Sequence, residues 1–105
     1  MIVKDNTVRS KAWLAAVHTI DCCVLCGNYG IQAAHRNEGK GMGMKASDCS
    51  VAAICPACHT EIDSGAHLSR DERRARMDKA IVLTHEALVK SGAITVSKLK
   101  EIRNG

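Results

Sequence analysis

Apolar residues recur along this chain with two spacings. In RSKAWLAAVH, residues 9–18, Trp13, Leu14 and Val17 fall on one side of a helix, and Ser10 stands where an N-cap belongs. Ile31 to His35 is a short apolar run suited to a strand, and Ser50 to Ile54 is another. Between them NEGKGMGMK, with Gly39, Gly41 and Gly43 and no periodicity, marks a loop. A helix can start at Pro56, because the first turn leaves its N–H groups unpaired anyway, and no breaker follows before Gly65. The clearest element comes next. Ser69 and Glu72 have capping-box spacing, Met77, Ile81, Thr84 and Leu88 share one face, and Gly92 occupies a C′ position. Ala93 to Val96 reads as a terminal strand, and SKLKEIRNG as a short helix or frayed tail.

This order predicts an α+β chain of one domain, residues 1–105, with a core at 20–66, a long helix at 69–91 and a short tail. Repeats and low-complexity linkers are missing. Composition makes the core thin: the chain has no Phe, and Trp13 and Tyr29 are its only aromatic residues. A domain this small with so little aromatic area calls for a staple, and six cysteines offer one. MIVKDNTVRSKAW lacks the apolar segment of a secretory signal, and no apolar run approaches the ~18 residues of a membrane span. The expectation is a cytoplasmic protein without membrane contact, whose reduced thiols serve metal binding or catalysis. Fifteen basic against eleven acidic residues give +4, a weak pointer to nucleic acid.

Cys23-x-x-Cys26 and Cys55-x-x-Cys58 carry the strongest chemical signal. Zinc takes four ligands in a tetrahedron, and a two-residue spacer lets one turn set both sulfurs on the same ion. Gly27 after the first pair helps the chain fold back. Cys22 could replace Cys23, and Cys49, with no partner at a sensible spacing, reads as a small buried hydrophobe. Cys55-Pro-Ala-Cys58-His59 also matches a haem-attachment pattern, but haem attachment follows export. A thiol–disulfide redox motif is a further rival, though it leaves the first pair unexplained and lacks the thioredoxin-like sheet.

His59 and Asp63 are four apart on the helix from Pro56, so they share a face and could ligate a divalent cation. The competing reading is a helix-start histidine and a solvated acid. His35 ends the first strand, where a histidine is commonly plain polar surface. His67 follows the short helix and could approach the metal, whereas His18 and His85 read as structural or exposed. Arg36, Lys40 and Lys45 flank the glycines and could meet phosphates, or simply line a solvated loop. From Arg70 to Lys79, Asp71, Glu72 and Asp78 dilute the arginines, which favours a solvated helix face.

A cysteine pair, a strand ending in histidine, a loop, a returning strand, a second pair and a helix bearing histidine resemble the HNH (ββα-metal, His-Me finger) endonucleases. Within that group, AAHRNEGKGMGMKASD and ICPACHTEID look like the phage and prophage YbcO-like and Ref-like nucleases. The resemblance covers roughly Trp13 to Gly92. It implies a zinc-stapled ββα-metal core between an N-terminal helix and a long C-terminal helix, cleaving DNA in a bacterial host cell. His35 takes the place of the general base, and His59 with Asp63 the ligands of a catalytic Mg²⁺ or Mn²⁺. Asp48 or Ser50 would orient His35; Asp48 is preferred because a carboxylate can accept from an imidazole N–H, although Ser50 sits nearer the usual Asn position.

Two departures stand out. Ala34 replaces the metal-binding residue that often precedes the base, so Glu38, His67 or water must substitute, or His35 is itself a ligand. The middle Asn is also missing. The resemblance further implies a phage or host recombination protein as a partner, and two-strand cutting by one site invites a homodimer. The rival from another class is a non-catalytic zinc ribbon that binds DNA or a polymerase, needing neither His35 nor His59. The enzyme reading requires one ion between the cysteine pairs and imidazoles aimed at one point.

Overall fold

A computed structural model of the chain describes residues 7–36 and 46–95. Lys40, Lys45, Glu38 and the tail from residue 96 lie outside these described residues. Five elements follow in order: α1 Lys11–Val17, β1 Gln32–His35, β2 Val51–Ile54, α2 Pro56–Ser64 and α3 Arg70–Lys90. The two strands pair antiparallel, with Gln32 opposite Ile54 and His35 opposite Val51.

Each helix starts where the sequence supplies a cap. Ser10 Oγ accepts from the Trp13 N–H (3.0 Å) to open α1. Ser69 and Glu72 form the reciprocal box that opens α3: the Glu72 N–H donates to Ser69 Oγ (3.0 Å) and the Ser69 N–H to Glu72 Oε1 (2.7 Å). The Ser69 backbone N–H first, and its hydroxyl second, hold the Glu72 carboxyl below its ordinary pKa. Cys55 caps α2 with Pro56 in its first turn. At its far end α3 stops at Ser91, and Gly92 turns left-handed with φ 82°.

Two strands alone are marginal in water, so the hairpin depends on cover from both sides. Every residue of β2 is buried. Successive side chains alternate between the faces. Ala34, Ala52 and Ile54 face a cluster made with Cys23, Cys55, Cys58, Ile62, Met77, Ala80 and Ile81. Ala33, Val51 and Ala53 face the other way, toward Val17, Leu88 and the half-buried Trp13 and Leu14. α3 serves both clusters, and Thr84 lies between its two contributions.

Thr84 also closes the outer edge of β2. Its hydroxyl accepts from the Ala53 N–H (2.9 Å) and donates to Ala80 O (2.7 Å), while the Ala53 carbonyl accepts from the Val24 N–H (3.0 Å). An edge strand is thereby capped on N–H and C=O by groups from distant segments.

One expectation needs correcting. Residues 93–95 form no strand; the Ile94 N–H returns to Leu88 O (3.2 Å), and Ile94 packs on the Val17–Leu88 cluster. A short apolar run can be buried against a helix end as well as in a ladder. No described helix is long and apolar enough to cross a membrane.

Candidate metal centre and flanking histidine pairs

The first cysteine turn is built by local backbone bonds and hung on the sheet by one more. The Cys23 N–H donates to Asn28 O (2.8 Å) and the Gly27 N–H to Cys23 O (2.9 Å), closing the turn. Gly27 has φ 82°, a left-handed conformation that a side chain would oppose. The Val24 bond to Ala53 then fixes this turn against β2, and β2 runs directly into Cys55 and α2. One strand therefore positions both pairs.

The sulfurs of Cys23, Cys26, Cys55 and Cys58 all lie within 4.8 Å of one another, with Cys26 and Cys55 3.6 Å apart. A tetrahedral zinc with Zn–S bonds of about 2.3 Å places its sulfurs roughly 3.8 Å apart, so these four thiols can hold such an ion. Backbone donors face the sulfurs as well. Leu25 and Cys26 N–H groups lie 3.4 Å from Cys23 Sγ, and the Cys58 N–H lies 3.5 Å from Cys55 Sγ.

Their acidities diverge. Burial opposes ionisation of Cys23, but backbone N–H groups of Cys26, Cys55 and Leu25 outweigh it and bring the thiol down to about 6. At Cys58, burial and the neighbouring sulfurs push the thiol far up. At Cys26 a backbone bond from Asn28 favours the thiolate, yet burial and the sulfurs of Cys55 and Cys23 prevail, and its pKa rises. Four thiolates at this spacing repel one another, and a divalent cation at their centre removes the conflict. An all-sulfur set fits a closed structural site, with no position left for substrate.

Cys22 takes no part: it is exposed and bridges Tyr29 through its backbone. Cys49 is half-buried, and its carbonyl accepts from His85 Nε2 (2.8 Å). His85 meets the Trp13 ring edge-on at 5.6 Å, and His18 is exposed.

Two of the expected site histidines, His35 and His59, pair with carboxylates. His35 Nε2 lies 3.0 Å from Asp48 Oδ1, and Asp48 Oδ2 accepts from the Ser10 N–H (2.7 Å). The His35 bond first, then the Ser10 N–H, holds the Asp48 carboxyl below its ordinary value. Arg9 stands 3.7 Å from the same carboxylate. Ser50, by contrast, uses its backbone carbonyl to accept from the Arg36 N–H (3.0 Å). The second pair is His59 and Asp63, with Nε2 and Oδ2 3.3 Å apart. His59 Nδ1 donates to Gln32 Oε1 (2.8 Å) at the start of β1.

These pairs do not converge. Gln32 and His35 stand three positions apart on β1, so the pleat sends them to opposite faces, about 10 Å apart along the strand. His59 belongs to the Gln32 face and His35 to the face shared with α1. Among the described residues, no third His, Cys, Asp or Glu joins His59 and Asp63 in a metal-sized cluster. His67 is engaged elsewhere: its Nε2 lies 3.0 Å from Glu61, which Arg76 also meets at 2.8 Å. Arg36 forms an ion pair with Asp78 through Nε (2.7 Å), so a phosphate would have to compete for it.

Sequence reasoning missed Gln32, Ser10 and Thr84 as partners of the site and its supports. Each bond joins residues far apart in the chain, and periodicity carries no signal of that. Compared with protein-family models, with curated proteins and with solved structures, the chain matches none.

Proposed function

We propose that this protein is a metal-dependent endonuclease of the HNH type, hydrolysing phosphodiester bonds of DNA. The observation that carries the reading is His35 held by a carboxylate at the end of β1, in a β1-β2-α2 unit whose helix bears His59 and Asp63. With Nε2–H donating to Asp48, the Nδ1 lone pair of His35 is the basic nitrogen. It takes a proton from water as the water oxygen bonds to phosphorus and the 3′ oxygen departs. Asp48 holds the ring and balances the imidazolium that forms. His59 and Asp63 would hold Mg²⁺ or Mn²⁺, which when bound stabilises charge on the phosphate and the leaving oxygen. Their 3.3 Å separation is close to the roughly 3 Å between neighbouring ligands of an octahedral ion. Water completes the coordination, as suits Mg²⁺.

His35 and His59 face opposite sides of β1, so this chemistry requires DNA binding to bring both imidazoles to one phosphate; their separation favours a second reading, a zinc-stapled module that binds DNA without cutting it. Plasmid nicking with Mg²⁺ or Mn²⁺ separates the two. The endonuclease reading expects His35→Ala and His59→Ala each to lower the rate by roughly 10²-fold or more, with DNA binding retained. Equal cleavage by wild type and both variants would assign the cutting to a contaminant and leave the binding module.

A further inference from the structure

Access to the four clustered cysteines is uneven. Cys23, Cys55 and Cys58 are buried, whereas Cys26 is exposed. Across the centre of the cluster Cys26 Sγ meets Cys55 Sγ at 3.6 Å, and the two residues belong to different turns, 29 positions apart. An oxidant arriving from solvent therefore reaches Cys26 first, with a buried thiol of the other pair directly behind it. The raised pKa of Cys26 belongs to the metal-free thiols. Bound to zinc, a cysteine is deprotonated outright, and the thiolate is the form that peroxides oxidise. Cys22 is exposed as well, but it lies outside the cluster.

We propose that Cys26 is an oxidation site for hydrogen peroxide and Cys55 its resolving thiol, so that a disulfide between the two pairs replaces the metal as staple. The Cys26 thiolate attacks one peroxide oxygen: the S–O bond of a sulfenic acid forms, the O–O bond breaks and hydroxide leaves. The Cys55 thiolate then attacks that sulfur, the S–S bond forms, the S–O bond breaks and a second hydroxide leaves. Two electrons pass from the sulfurs to one peroxide, and two protons from solvent turn both hydroxides into water. Cys23 and Cys58 alone do not complete a four-sulfur sphere, so zinc is released. The place of the link decides its effect. A bridge from Cys23 to Cys26 only locks a turn that backbone bonds already close. A bridge from Cys26 to Cys55 joins the turn before β1 to the N-cap of α2, the same segments that a metal would tie. It also closes a longer loop, which restrains the unfolded chain more. This goes beyond the endonuclease reading and rests only on the cysteine cluster.

The test treats zinc-loaded protein and its Cys22→Ser variant with hydrogen peroxide. A chromogenic chelator reads zinc release, tandem mass spectrometry of proteolytic peptides locates the link, and far-ultraviolet circular dichroism reads the fold. The expected result is about one zinc released per peroxide consumed, with Cys26 joined to Cys55. The oxidised, zinc-free protein keeps its helix signal, and loses it once dithiothreitol cuts the link with chelator present. Cys22→Ser is expected to give the same link at the same rate. Links confined to Cys23–Cys26 or Cys55–Cys58, a link through Cys22 or Cys49, or cysteines that stay reduced and zinc-bound in excess peroxide would each overturn the inference. Unfolding of the oxidised protein with the Cys26–Cys55 link in place would overturn it too. None of these readouts depends on DNA cleavage, so the endonuclease reading is tested separately.

Discussion

Asp48 joins three segments through two oxygens. Oδ1 meets His35 at the end of β1, Oδ2 takes the Ser10 N–H ahead of α1, and its own N–H donates to Val8 O (2.9 Å). Its depressed pKa fixes the sign of its pH effect. The charged carboxylate stabilises the fold fully above the ordinary pKa of 3.8, and that contribution is lost as pH falls through the lower folded value. Replacing His35 by Ala removes the largest cause, so the Asp48 carboxyl, followed by carbon-13 NMR, is expected to titrate closer to 3.8. An unchanged titration would show that the Ser10 N–H alone holds it down. The His35–Asp48 contact was legible from side-chain chemistry, because a carboxylate suits an imidazole N–H better than a serine does. Gln32 was not legible. An amide at the start of an alanine-rich strand carries no sign of the histidine it meets 27 positions later.

At the scale of elements, the strand edge matters more than the strand pair. β2 is short and rich in alanine, and what holds it is the Thr84 hydroxyl on one group of Ala53 and the first cysteine turn on the other. Thr84→Val keeps the shape and removes the acceptor, leaving the Ala53 N–H buried without a partner. The expected loss is about 1–3 kcal/mol of unfolding free energy in denaturant titration of the zinc-loaded protein. A change within a few tenths would mean that the edge relaxes to another partner. Helix limits were legible because Ser10, Pro56 and Ser69 are local signals that need no tertiary context. Residues 93–95 misled for the converse reason: an apolar run this short suits a ladder or a helix end equally, and Leu88 decided between them.

For the whole molecule, the question is what binds its two halves. The described residues form one small cluster on each face of a hairpin whose two strands have four residues each, and the chain has almost no aromatic area, so hydrophobic burial alone offers a thin margin. A metal at the cysteines would tie the segment before β1 to the segment after β2, and its binding energy would become folding energy. The cysteine spacing made the gathering of these four thiols visible in the sequence. Strand pairing and pleat decide the relation of His35 to His59, and no local motif encodes either one. Both readings of the function share the clamp.

X-ray absorption at the zinc edge of the purified protein tests that clamp most directly. The account predicts one zinc per chain with four sulfur neighbours at about 2.3 Å and no nitrogen or oxygen in the first sphere. Zinc with only two sulfurs, or reduced protein folded cooperatively with no metal bound, would contradict it.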